Sequence, residues 1–208
     1  MNRQLNRETK LLRLILKHLL MVTMLLTTFM VRAEGDWDID RLMQSLASSR
    51  SGSASFVEKK TIAMLDKPVE SSGELFYTAP DRLEKRTLKP KPDCMLLDKD
   101  KLIVEQRGKK HTLSLANYPE VAAFIDSIRG TLAGDRKALE RSYKLSLDGD
   151  EQNWNLSLLP IEDKMKKVVA KINIAGAGNI LHSIEIKQAD GDRSLMTITP
   201  LPTTVPAP

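Results

Sequence analysis

Cysteine, aromatic residues and catalytic signatures are all scarce in this chain, and each scarcity excludes something. A single cysteine, Cys94, can close no internal disulfide and cannot by itself build a cysteine-based metal site. It reads as a half-buried strand residue. Aromatic residues make up only 4%, so Leu, Ile and Val have to supply most of any core. There is no G-x-S-x-G, no H-E-x-x-H and no Ser/His/acid set at recognisable spacing, which argues against a hydrolase. The glycines of "AGAGN" (Ala175 to Asn179) lack the lysine and the following helix of a phosphate loop, and a glycine-rich hairpin explains them. No catalytic residue, metal ligand or cofactor is expected.

Long apolar runs are also missing. The longest, Leu19 to Val31, has 13 residues, short of the roughly 20 that a spanning helix needs. It follows a basic segment (Arg3, Arg7, Lys10, Arg13, Lys17) and precedes Val31 and Ala33 at the spacing of a cleavage site. Residues 1–33 therefore read as a signal peptide and the rest as a periplasmic protein. This changes the meaning of the +5 formal charge. The leader holds six of the 32 Lys/Arg and one of the 27 Asp/Glu, so acids and bases balance in what remains. The basic pI belongs to the leader and is no evidence for a nucleic-acid partner.

What is present is alternation. Tyr143, Leu145 and Leu147 precede Trp154, Leu156 and Leu158; then come Val168, Ala170, Ile172 and Ile174, then Ile180, His182, Ile184 and Ile186, then Met196 and Ile198. Polar residues fill the intervening positions. This is the period-two pattern of an antiparallel sheet wet on one side, and it predicts about eleven strands. "SSGELFYTAPDRLEKRTLKP" (Ser71 to Pro90) contributes two of them, with a corner at Ala79-Pro80-Asp81 because proline is excluded from mid-strand. Helical spacing is confined to three places. Ile39, Leu42, Met43, Leu46 and Ala47 form one stripe; Val121, Phe124, Ile125, Ile128 and Leu132 form another, after Pro119 and before Gly134. A short helix from Asp135 to Arg141 takes Asp135 as its N-cap.

Three D-x-D sites (Asp98/Asp100, Asp148/Asp150, Asp190/Asp192) lie between alternating runs. Asp-Gly there is a hairpin signal, and none continues into a calcium loop. The predicted fold is therefore mainly β: an incomplete antiparallel barrel covered by two or three helices, in one domain over residues 34–199. A Pro/Thr-rich tail, 200–208, is expected to be mobile. A one-faced sheet must cover its apolar side. Whether the helices fill that face or leave a cavity stays open on pattern alone.

The order of parts resembles the LolA family of periplasmic lipoprotein carriers and its LolA-like relatives. The first helix leads into "SASFVEKK", similar to that family's phenylalanine-bearing first strand. "GELFYTAP" and "DRLEKRTLKP" are similar to its glycine–apolar strand and charged return strand, and "LLDKDKLIVEQRGKKHTLSL" to its next hairpins. "YPEVAAFIDSIRGTLAG" stands where that family has lid helices. The resemblance implies an incomplete barrel roofed by helices around an apolar interior for acyl chains. One departure matters: Ala79 stands where the carriers typically have a lid-engaging arginine. "LAGDRKALERSYKLSLDGDEQNWNLSLLP" and "DGDRSLMTITP" look more like the subgroup associated with exporters and with lipid or aryl-polyene biosynthesis.

Two functions follow. In one, a monomeric carrier shields the acyl or polyene chain of a lipid or lipoprotein on its way to the outer membrane, between an inner-membrane exporter and an outer-membrane acceptor. Phe56, Leu75, Tyr77, Leu145, Trp154, Leu156, Leu158, Ile172, Ile174, Ile184 and Ile186 would line the site, and Val121, Phe124, Ile125, Ile128 and Leu132 would form its lid. In the other, a packed, non-catalytic module serves an envelope exporter and ferries nothing. For the leader the expected outcome is cleavage after Ala33. N-terminal sequencing of the exported protein should then begin Glu34-Gly35-Asp36, whereas a membrane-retained full-length product would show an anchor instead.

Overall fold

The computed structural model describes residues 37–202; the expected leader and the tail from 203 onward lie outside them. Each expected helix forms at its apolar stripe. The first, α1 (Ile39–Ala47), begins at Asp38, whose carboxylate accepts from the Arg41 N–H at 2.9 Å and satisfies one orphan donor of the first turn. It buries Leu42, Met43 and Leu46. Six strands follow: β1 (Ser51–Thr61), β2 (Val69–Thr78), β3 (Arg82–Lys89), β4 (Asp93–Asp98), β5 (Lys101–Gln106) and β6 (Lys109–Ser114). The corner between β2 and β3 falls at Ala79, Pro80 and Asp81, as expected.

The chain then leaves the sheet through a 3-10 turn (Leu115–Asn117), α2 (Pro119–Ala133) and α3 (Arg136–Glu140). Pro119 occupies the first turn of α2, and Asp135 caps α3 by accepting from Ala138 N–H. Five strands complete the chain: β7 (Tyr143–Asp150), β8 (Asn153–Pro160), β9 (Val169–Ala177), β10 (Ile180–Gln188) and β11 (Arg193–Pro200). One short helix, α4 (Asp163–Lys166), lies between β8 and β9, where no helix was expected. Four residues cannot display a helical period, although buried Met165 anchors it.

The eleven strands form one antiparallel sheet in the order β6-β5-β4-β3-β2-β1-β11-β10-β9-β8-β7. Two meanders are joined where β1 pairs β11, from Ala54↔Pro200 to Thr61↔Arg193. β6 and β7 lie at the two edges, so the sheet is not closed. The segment joining these edges carries α2 and α3, and it must pass from one side of the sheet to the other. That topology makes a roof of them.

Alternation misplaces side chains at two bulges. Register shifts occur between Leu181 and Ser183 and between Lys187 and Gln188, against Val169. Consequently Leu181 is buried while Ile180 and His182 are exposed, and Val169 is buried while Val168 is 48% exposed and Ala170 is exposed. An extra residue on one strand transfers its neighbours to the other face. The Asp148-Gly149 turn is also displaced. Both residues lie inside β7, and the hairpin turns at Glu151-Gln152, where the Asp150 carboxylate accepts from Gln152 and Asn153 N–H at 2.9 Å. The turn containing Asp190-Gly191 stands as expected, with Gly191 at φ +93°.

Gly134 is required twice. It ends α2 at φ +65°, and a Cβ there would come within 2.1 Å of the Met43 carbonyl on α1. Gly134→Ala should therefore separate the roof from α1 and destabilise the fold by more than about 1 kcal/mol. Thermal denaturation should show a Tm lower by at least about 2–4 °C.

Candidate functional site

One sheet face carries the apolar residues; we call it inner because α1 packs on it. Its register places Leu145 opposite Leu158, Ile172 opposite both Leu158 and Ile186, and Ile184 opposite Ile174. Beyond β11 the same face continues through Phe56 and Gly73, then through Leu75 and Tyr77, which is opposite Leu83. All the expected lining residues therefore share one surface, but they divide by burial. Trp154, Leu156, Leu158, Ile172 and Ile174 are 0% exposed, and Phe56 is nearly so. The first five form a filled floor beneath α1, in one cluster with Leu42, Met43 and Leu46. The Trp154 ring lies over Gly176, where a Cβ would meet it at 2.5 Å, and its Nε1–H donates to the Gly178 carbonyl at 3.0 Å. Leu75, Leu145 and Ile186 are only half-buried, as are Leu147 and Met196.

The lid stripe is half-buried too. Phe124, Ile128 and Leu132 pack on the floor cluster, and Ile125 packs on a second cluster built from Leu97, Leu102 and Leu115. Val121 remains 40% exposed. The fully buried side of α2 is instead its small one. Ser127 and Thr131 are sealed, each hydroxyl donating to a carbonyl of its own helix (Phe124, 2.6 Å; Ser127, 2.7 Å), and Gly130 packs on Leu139. Spacing at 127, 130 and 131 was a readable sign of this close contact, but the apolar stripe outweighed it. The resulting arrangement is a helix whose apolar side hangs over the inner face without being consumed by it.

Two polar contacts hold α2 down. Arg129 donates from Nη1 to the Lys99 carbonyl at 2.9 Å, in the turn between β4 and β5, and its guanidinium is oriented by an ion pair with Asp126. Tyr143 Oη donates to the Ala123 carbonyl at 3.4 Å, and burial pushes that phenol up to about 12. Ala79 lies just past the end of β2, its N–H donating to the Arg50 carbonyl. Ala79 offers no latch, and the lid is held instead by its own arginine, which donates to a carbonyl on the sheet. Tyr77 faces inward with its hydroxyl buried and unpaired among the described residues. Burial pushes its phenol up as well.

The outer face is polar. A depression of about 330 Å³ there is lined in part by Asn155, Asn173, Ser183, Glu185 and Arg193. Ser157 donates to Asn173, Asn173 donates to Glu185, and Glu185 pairs with Arg193. Among the described residues no group of three or more His, Cys, Asp and Glu is placed to hold a metal ion, and no helix is long and apolar enough to cross a membrane.

Residues 32–200 match the family model described as outer membrane lipoprotein carrier protein LolA-like. The chain belongs to that LolA-like family. Its members are generally binding or carrier proteins, and the half-open sheet under a helical lid is the carrier-type architecture. No curated protein matches the chain. Among solved structures, a LolA superfamily protein of Nitrosomonas europaea is 11% identical, over 76% of this chain and 90% of its own, with a TM-score of 0.42. A DUF1329 family protein of Desulfovibrio piger is 10% identical, over 82% and 92%, at 0.46. The MucA/MucB complex of Pseudomonas aeruginosa is 12% identical, over 80% and 59%, at 0.44.

The lid contact gives a direct test. Arg129→Ala removes the bond to Lys99 while leaving the buried Ser127–Thr131 side intact. Amide exchange across α2 should then accelerate, with a Tm loss of no more than a few degrees. Unchanged exchange would mean that Arg129 does not restrain the lid.

Proposed function

We propose that this LolA-like protein is a periplasmic carrier that shields an acyl or polyene chain between α2 and the half-buried part of the inner face, for transfer toward the outer membrane. The observation that supports it is the incomplete burial of apolar residues both on α2 and on the inner face. Phe124, Ile128 and Leu132 above, with Leu75, Leu145 and Ile186 below, are apolar yet half-exposed. A domain built only for packing has little reason to leave such surface uncovered. Each methylene moved from water into the cleft contributes about 0.8 kcal/mol, enough to hold a long chain without any catalytic chemistry. Release requires α2 to lift, which breaks the Arg129–Lys99 and Tyr143–Ala123 hydrogen bonds and opens its packing on α1 and α3.

The alternative, an accessory module of an envelope exporter that ferries nothing, is favoured by the sealed floor. Five of the expected lining residues have no solvent contact, so they support the cleft and cannot touch a ligand unless α1 moves.

The two readings separate on a pair of substitutions. Ile174→Phe enlarges a sealed position and should cost about 1–3 kcal/mol by overpacking. Leu145→Phe enlarges a half-exposed one, so it should melt close to wild type while weakening displacement of a fluorescent fatty acid. If the purified mature protein binds no such probe, the carrier reading is abandoned and the accessory role remains.

A further inference from the structure

The inner face is not apolar throughout. By register, Glu58 shares the face of Phe56, and Lys85, opposite Leu75, shares it too. Glu58 is 5% exposed, and both of its oxygens are engaged. Oε1 accepts from Ser194 Oγ at 2.6 Å; Oε2 accepts from Lys85 Nζ at 2.6 Å and from Ser71 Oγ at 3.4 Å. Burial alone would push the Glu58 carboxyl up, but Lys85 and Ser194 together hold it below the ordinary carboxylate range. Lys85 Nζ also stands 4.9 Å above the Phe56 ring, a cation–π distance. Glu58 is therefore committed to fixing the ammonium in place.

Lys85 is not committed in the same way. An ammonium carries three donors, and among the described residues Glu58 is the only acceptor at hydrogen-bond distance. Its side chain is 25% exposed, against 6% for Glu58. Lys60 adds a second cation 3.6 Å from Glu58, half-exposed. The charge that reaches solvent from this cluster is positive. A buried ion pair gives little net stability compared with a well-packed apolar pair of the same volume, so packing alone does not account for one in this position.

Its position along the cleft is informative. The turn gripped by Arg129 follows Asp98, which lies opposite Arg82, then Thr78, then Ser51. Lys85 lies three residues further along β3 than Arg82, roughly 10 Å at strand rise, and directly opposite the half-buried Leu75. A fixed cation bordering half-buried apolar surface matches the two chemistries of an anionic amphiphile.

We propose that Lys85, held by Glu58, binds the phosphate or carboxylate headgroup of the amphiphile whose chain lies under α2. This rests on the carrier reading of the cleft, and the test separates the two. The mature protein is titrated with dodecyl phosphate, dodecanoate, dodecanol and inorganic phosphate, each displacing the fluorescent fatty acid. Both anionic amphiphiles should bind about tenfold tighter than dodecanol. Lys85→Met should remove that advantage without changing dodecanol binding, and Lys85→Arg should keep it. Because Lys85→Met strands a buried carboxylate and can impair folding, the double variant Glu58→Gln/Lys85→Met, which removes both charges, should show the same loss. Inorganic phosphate alone should not compete; if it does, the site takes a free anion and the headgroup assignment fails. Equal binding of charged and neutral chains, or an advantage that survives in both variants, overturns the proposal while leaving the carrier reading in place. Failure of every amphiphile to bind removes the carrier reading and this one with it.

Discussion

The ladder between β1 and β11 holds together two structures that would otherwise be separate. Every other strand pair joins neighbours in sequence or the two sides of a short loop, apart from the β8–β9 link through α4. In the β1–β11 ladder Ser55 meets Thr199 across 144 residues. Such closure costs chain entropy before any contact repays it, and eight residue pairs meet that cost. Once the ladder forms, eleven right-twisted strands cannot remain flat, and one face becomes concave. The segment between β6 and β7 is then stretched from edge to edge over that concavity. The lid is thus a consequence of strand order as much as of the amphipathic spacing of α2.

The concave face has more apolar area than its few helices can cover. α1 is spent on the β8–β10 part, where it seals Trp154, Ile172 and Ile174. α2 meets α3 where Gly130 packs on Leu139 and meets α1 at the close approach of Gly134 to Met43 and Ala47, on the side where Ser127 and Thr131 are sealed. That contact fixes the height of α2. A helix positioned by its small face cannot also press its large residues fully onto the sheet, so Phe124 and Ile128 stay half-covered. The division between sealed and half-buried apolar residues therefore follows from which side of α2 is tied down.

Period two and period 3.6 were enough to locate all three longer helices, about eleven strands and the corner at Pro80. They failed where backbone irregularity breaks the period. The bulges beside His182 and at Val169 exchanged inside for outside, and Asp148-Gly149 lay in a strand because the neighbouring Asp150 made the stronger turn. The polar pair was invisible for a different reason. "RLEKRTLK" alternates charges with one another, so neither face looks apolar, and only pairing with Leu75 shows that Lys85 points inward. Glu58 was legible in principle, two residues after Phe56 on the same parity, but a carboxylate beside two lysines reads as solvated until its partners are known. Arg129 carried no sequence signal, because an arginine three residues after an aspartate on a helix reads as a solvated ion pair.

The placement of Arg129 on the lid bears on how the cleft opens. An arginine on the sheet would stay at the mouth of the cleft when the lid lifts, presenting a cation beside the apolar ligand. With the arginine on α2, the guanidinium leaves with the helix and keeps its partner, since Asp126 travels on the same turn. What remains on the sheet is the neutral Lys99 carbonyl, which water can satisfy at once. Lifting α2 would therefore expose no new charge on the sheet, and the cation that stays on the inner face is Lys85, paired with Glu58.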